Sequence, residues 1–166
     1  LSNAMNGIAY SCLYRAPLIL FSDGFSDKLS SFVTHQVFDQ KKLMSPFSKN
    51  YTNLQNEDPE IEFKNVVSSA FLPPYGPVYI ELISAVAQKT IYKRDFSLKI
   101  QKEINNLEYN DQIISLLESS KKPVVVLGLE NLIDNTSEVI SKITNLLNCP
   151  TLVTYKAKGV VSDNDE

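Results

Sequence analysis

Short apolar runs alternate with helical patterns along this chain, and that alternation predicts an α/β protein with parallel sheets and flanking helices. Pro17 to Phe21 is a continuous apolar run, as expected of a strand buried on both faces, and Val78 to Leu82 and Val124 to Gly128 read as further strands. Between them lie segments with apolar residues at three- and four-residue spacing. A third observation divides the chain. Gln88 to Lys102 is charged and has no clear period. The expected organisation is two incomplete Rossmann-like units, residues 1–87 and 108–166, joined by a linker over 88–107.

The elements follow in order. Ala4, Ile8 and Cys12, with Ala9 and Leu13, mark one face of a first helix that Ser2 or Asn3 can cap and Pro17 stops. Ser22-Asp23-Gly24 ends the first strand. Residues 26–31 are polar and loop-like, and Phe32 to Leu43 supplies one or two helical turns. Ser45-Pro46 breaks any helix there, and a short extended segment is expected near Tyr51 to Leu54. Asp58-Pro59 reads as a cap followed by a first-turn proline. Its helix runs to about Ala70, burying Ile61, Phe63, Val66, Val67 and Ala70. A rigid turn from Pro73 to Pro77 leads into the strand Val78 to Leu82.

In the second unit, Tyr109 to Ser119 is an amphipathic helix and Lys122-Pro123 opens the next strand. One helix is expected over Asn131 to Leu147, burying Val139, Ile140, Ile143, Leu146 and Leu147. Pro150 to Thr154 is a further strand, and Lys156 to Gly159 a loop.

Composition narrows the function classes. The chain has 166 residues, 43% hydrophobic and 21% charged, which is ordinary for a globular protein. A net charge of −3, with no long basic cluster, argues against a nucleic-acid surface. Cys12 and Cys149 stand far apart, which disfavours a disulfide scaffold or a zinc site. Lone cysteines of this kind suit a reducing cytoplasm. His35 is the single histidine, so a histidine-rich metal site is excluded. No apolar run approaches the ~20 residues that cross a bilayer, and the start lacks the basic leader and apolar core of a signal peptide. Ser2-Asn3-Ala4 before Met5 has the look of an expression scar, but Leu1 and the helical pattern favour native sequence.

The order of these elements, and the residues at their ends, resemble the thiamine-diphosphate enzymes of the acetolactate synthase family. Leu1-Ser2-Asn3 matches the residues after the family's Gly-Pro-Gly turn, and Gly7-Ile8-Ala9 and Ala16-Pro17-Leu18-Ile19 match the helix and strand that follow. His35-Gln36-Val37-Phe38-Asp39 stands at the family's Phe-Gln-Glu-x-Asp, with His35 replacing the aromatic residue and Val37 the glutamate. Pro46-Phe47-Ser48-Lys49 matches a Pro-x-(Thr/Ser)-Lys segment. Gly76-Pro77-Val78 matches the Gly-Pro-Val strand, in which Glu81 stands at an aspartate and Ile83 replaces a proline. Lys122-Pro123-Val124 through Gly128 resembles the strand opening the central domain, and Thr154, Lys158 and Gly159 its Thr…Lys-Gly turn.

The resemblance implies the latter part of a pyrimidine-binding domain, a linker and the first part of a central domain. The glutamate that bonds the cofactor's aminopyrimidine is expected upstream of Leu1, and the diphosphate and magnesium site past Glu166. No catalytic or metal-binding residue is then expected in this stretch, which is expected to be inactive alone. Asn3 is implied near the cofactor, with a helix cap as its alternative. Gln36 is implied at cofactor and substrate, where its amide can donate to a carbonyl oxygen that gains charge; an ordinary loop glutamine is the alternative. His35 is either a pocket acid–base group or a surface imidazole. Asp39 and Lys49 are expected to tie loops together, and Gln40 and Glu81 to be solvated. Gly128, with Lys158 and Gly159, stands where relatives turn toward a nucleotide. The turn lacks further glycines, which makes FAD doubtful.

The implied whole is a decarboxylase or carboligase, a transferase or lyase acting on a 2-oxo acid as a homo-oligomer. Two alternatives stay open: a non-catalytic assembly or ligand-binding module of the same fold, and a 2-hydroxyacyl-CoA lyase-like enzyme.

Overall fold

The computed structural model describes residues 1–25, 37–88, 97, 111–133 and 136–162. The chain divides into two compact units, Leu1–Lys102 and Glu103–Glu166. The expected linker over 88–107 falls outside the described residues except at 88 and 97.

The first unit is a parallel sheet between helices. A 3-10 turn, Ser2–Ala4, leads into α1 (Met5–Leu13), and β1 (Leu18–Gly24) follows. Then come α2 (Gln40–Met44), β2 (Asn50–Thr52), α3 (Pro59–Ala70), β3 (Pro77–Ile83) and α4 (Ser84–Ala87). The strand order is β1-β3-β2, all parallel. The central strand β3 is buried at Val78, Tyr79 and Ile80, and the alternation of its side chains feeds two cores. On one face, Val78 and Ile80 meet Val66, Val67 and Ala70 of α3. On the other, Tyr79 meets Ile8 of α1 and Met44 of α2.

Asp58 caps α3 with its carboxylate, accepting from the Ile61 N–H at 3.1 Å, and Pro59 occupies the first turn as expected. The buried side of α3 differs at Ile61, which is 56% exposed, and at Phe63, which is half-buried. The first helix departs further. Neither Ser2 nor Asn3 caps it; its N-cap is Ala4, with no side-chain bond. Leu13 is exposed, and the buried face runs through Ile8 and Ser11. The turn after α1 is made by Arg15, at φ +53°, and Ser11 closes it by donating to the Ala16 carbonyl at 2.7 Å.

β1 does not stop at Phe21 but continues through Ser22-Asp23-Gly24, because β3 extends to Ile83 and pairs with it residue for residue. Gly24 ends the strand under the side chain of Glu81. A Cβ on Gly24 would stand 2.4 Å from Glu81 Cγ.

In the second unit, α5 (Asp111–Ser119) precedes β4 (Val125–Leu127), α6 (Leu129–Ile133), α7 (Ser137–Leu147) and β5 (Thr151–Val153). β4 and β5 pair in parallel. A small core joins Leu127, Ile140, Ala157 and Val160. The single helix expected over 131–147 is two helices. Asn131 Nδ2 turns back to the Gly128 carbonyl, and the Thr136 hydroxyl and N–H both bond the Asn131 carbonyl. Of the five residues expected to be buried on it, Ile140 alone is; Val139, Ile143 and Leu146 are exposed. Tyr155–Ala157, expected within a loop, is a 3-10 turn that buries Ala157.

Candidate functional site

α2, between β1 and β2 in the chain, lies on one face of the sheet, and α3, between β2 and β3, on the other. β3 lies between β1 and β2, so its carboxyl end stands at this change of face. Crevices of open α/β sheets form at such a place. The polar side chains of the first unit gather there, on the face of Tyr79.

Ser22, Gln40 and Tyr79 form a triangle. Ser22 Oγ lies 2.8 Å from Gln40 Oε1 and 2.8 Å from the Tyr79 hydroxyl, which lies 3.0 Å from the same Oε1. Two hydroxyl protons serve three contacts, so two of the three are hydrogen bonds at any moment. Gln40 Nε2 donates to the Asp23 carbonyl at 2.9 Å. Gln40, expected to be solvated, is 8% exposed, packed where its amide bonds to both β1 and β3. Asp39 just before it caps α2, accepting from the Lys42 N–H at 2.8 Å.

Tyr51 and Glu81 form the second part. The Tyr51 hydroxyl donates to Glu81 Oε2 at 2.7 Å, and its ring stacks at a tilt 5.4 Å from that of Tyr79. The Lys41 ammonium lies 4.8 Å from the centre of the Tyr51 ring. Glu81 is half-buried and partnered rather than solvated, since β3 turns it toward Tyr51 and over Gly24. Burial, above all, raises the Tyr51 phenol well above its ordinary range, and the hydrogen bond to Glu81 and that carboxylate's charge add to it. Burial likewise pushes Tyr79 up to about 12, against the opposing hydrogen bond to Ser22. Both phenols therefore stay protonated at neutral pH and act as donors.

His35 and Gln36 lie outside the described residues. The described residues that follow them, Val37 and Phe38, are 38% and 43% exposed just before Asp39 and the buried Gln40. Asn3 sits exposed in the opening 3-10 turn. Lys49 ties loops, as expected. Its ammonium donates to the carbonyls of Ser69 and Leu72, the latter at 2.7 Å.

Gly128 and the Lys158-Gly159 turn follow β4 and β5, whose ends are joined by the Thr154 N–H bonding the Leu127 carbonyl at 3.0 Å. Both turns thus leave the same edge of that sheet. Gly159 has φ +96°, which a glycine adopts freely. Gly128 has open space where a Cβ would stand.

Ser22, Tyr51 and Tyr79 were not expected at a site. One signal pointed to them. Tyr79 and Glu81 share a face of a strand that is otherwise apolar, and buried polar groups need partners. A separate shallow groove of about 580 Å³, beside β2 and the start of α3, is lined by Asn50, Asn56, Glu57, Asp58 and Asn65. Tyr51 borders it, but none of the expected site residues does. Among the described residues, no group of three or more His, Cys, Asp or Glu is placed to hold a metal ion. No described helix is long and apolar enough to cross a membrane.

No family model matches the chain. Individual proteins do. It is 26% identical to a probable acetolactate synthase large subunit of Methanococcus aeolicus, over 98% of this chain and 29% of that protein. It is 24% identical to the acetolactate synthase large subunit of Buchnera aphidicola subsp. Schizaphis graminum, over 98% of this chain and 30% of that one. Among solved structures, the thiamine diphosphate-dependent 4-hydroxybenzoylformate decarboxylase of Rhodococcus jostii RHA1 superposes with a TM-score of 0.63 at 21% identity. That superposition covers 92% of this chain and 30% of the decarboxylase. The likeness is one of fold. The chain thus spans about 30% of the length of these proteins.

Proposed function

We propose that this chain, a distant relative of the acetolactate synthase large subunits, forms one wall of a thiamine-diphosphate site in a longer enzyme acting on a 2-oxo acid. The observation that carries this is the match to those subunits over 98% of the chain. The polar cluster at the carboxyl edge of the first sheet supports the location. In this reading residues 1–87 are the latter part of the pyrimidine-binding domain, 88–107 the linker and 108–166 the start of the central domain.

The residues present fit a wall better than a metal or phosphate centre. Ser22, Tyr51 and Tyr79 offer hydroxyls, and Glu81 one carboxylate, which suits neutral ring donors and acceptors. The magnesium that accompanies the cofactor's diphosphate is assigned to residues outside this chain, as is the glutamate that bonds the aminopyrimidine. When bound, the cofactor supplies an electron sink for making or breaking a bond at a carbonyl carbon. This chain's part is to bind and orient. Asn3 and Gln36 are assigned to the cofactor, and His35 and Gln36 to the substrate, with the Gln36 amide donating to the carbonyl oxygen as it gains charge. Gly128, Lys158 and Gly159 are assigned no flavin. α6, which Gly128 opens, is a five-residue helix, and its turn lacks the glycines that bring a backbone close to a pyrophosphate. The intact enzyme is proposed to be a cytoplasmic homo-oligomer, a transferase or lyase, and this stretch alone to be inactive.

The test is made in the full-length protein. Wild type should bind thiamine diphosphate with magnesium by calorimetry and turn over a 2-oxo acid only in its presence. Gln36→Ala should lower kcat/KM about 100-fold, the loss of one charge-stabilising donor. Turnover that ignores thiamine diphosphate would reject the function, and an unchanged Gln36→Ala would reject that residue's role.

A further inference from the structure

We infer that Gln40 is a positioning residue of the proposed site, holding the backbone of residues 37–39 at the carboxyl edge of the first sheet. The inference rests on the reading above and names a residue to which that reading gives no role. Gln40 is the first residue of α2 and is 8% exposed. Its one amide reaches two strands: Oε1 meets Ser22 of β1 and Tyr79 of β3, and Nε2 meets the Asp23 carbonyl. β1 and the start of α2 are thereby locked to each other and to the central strand, across 17 and 18 residues of sequence.

An apolar side chain would fill this place with a smaller desolvation cost, and removing all partners of a buried hydrogen-bond set is often nearly neutral in stability. What the amide adds is register. A hydrophobic contact tolerates sliding along the strand; bonds to Oε1 and Nε2 together do not. Asp39 caps α2 one residue earlier, and Phe38 and Val37 stand exposed before it. Gln40 thus fixes where the backbone carrying these two exposed apolar side chains enters α2. They are the described part of the wall that a ring or the carbon chain of a 2-oxo acid would touch. Gln40 itself touches no ligand in this account and acts through residues 37–39.

The experiment uses the full-length protein, thiamine diphosphate with magnesium as the probe ligand, and pyruvate as the probe substrate. Gln40→Leu keeps the volume and removes every bond. It should raise the cofactor Kd or the KM for pyruvate about 10-fold, with kcat per folded active site changed less than about 3-fold. A Gln40→Leu protein with a lowered Tm but unaltered Kd and KM overturns the positioning role, because a purely structural glutamine moves only the Tm. If Gln40→Leu does not fold, Gln40→Met takes its place, with about a 3-fold rise expected in Kd or KM and no change counting against the inference. A wild type that binds no thiamine diphosphate sinks the functional reading and this role together. Binding that Gln40→Leu leaves untouched sinks this role only.

Discussion

The Glu81 side chain occupies the space that any side chain on Gly24 would need, with Glu81 Cγ 2.4 Å from where a Cβ would be. The two residues sit on neighbouring parallel strands, with Ser22 in register with Glu81 and Gly24 with Ile83. The carboxylate that Tyr51 holds is therefore shaped by the absence of an atom on the next strand. Gly24→Ala should cost about 1–3 kcal/mol, the usual penalty of overpacking a filled place. In a Glu81→Ala background the same change should cost much less, since the obstructing atoms are gone. Urea unfolding of the four proteins of this cycle measures the coupling. Equal costs in both backgrounds would show that Glu81 moves aside freely.

The Tyr79 phenol gives a pH prediction. Its folded value of about 12 lies above the unfolded value of ~10. The folded state therefore keeps its proton where the unfolded state has lost it. The corresponding stability is fully present below pH ~10 and drains away as pH rises through about 12. Melting temperature should fall across that window, and Tyr79→Phe should flatten the fall. Phenolate absorbance, compared between wild type and Tyr79→Phe, offers a second readout. A Tyr79→Phe protein with the same alkaline slope as wild type would remove Tyr79 as its source.

Two isoleucines that look alike in the sequence should behave differently. Ile80 is fully buried against Val66, Val67 and Ala70, whereas Ile61 is 56% exposed on α3. Ile80→Ala should cost about 2–5 kcal/mol, and Ile61→Ala about 0.5 kcal/mol or less. Chemical denaturation with tyrosine fluorescence suffices to compare them. A costly Ile61→Ala would mean that another surface covers α3 at that point.

Lys49→Met should destabilise the first unit by about 1–3 kcal/mol. Its ammonium serves the carbonyls of Ser69 and Leu72 at and beyond the end of α3, where a positive charge is also favoured by the helix dipole. Hydrogen exchange should quicken at the last turn of α3 before it does at the first turn, which Asp58 caps independently. Uniform quickening along α3 would contradict a local tie.

What was legible beforehand follows the range of the interactions. The Asp58-Pro59 start of α3 is written in adjacent residues, and its bond spans three positions. The parallel strands are written in short, mostly apolar runs. Gln40 could not be read this way, because the groups that bury it lie 18 and 39 residues away on β1 and β3. A glutamine followed by two lysines looks solvated until the strands are placed around it. The second unit shows the converse. The spacing of Val139, Ile143 and Leu146 correctly marks an apolar stripe, yet periodicity says nothing about what lies against it, and these residues are exposed on α7. His35 and Gln36, the residues on which the resemblance puts most weight, are outside the described structure, so their placement rests on the resemblance alone.

The strand order β1-β3-β2 gives the first sheet two unlike margins. β2 offers three residues, and at Leu54, just past its end, the chain turns through φ +57°; so short a rim gives an incoming strand almost nothing to hold. β1 offers seven residues, already straightened and twisted by its partner, and among the described residues no strand lies along its outer side. A strand joining at β1 would bring its own side chains next to Ser22 and Gly24 at the margin seven residues long, rather than at the margin of three.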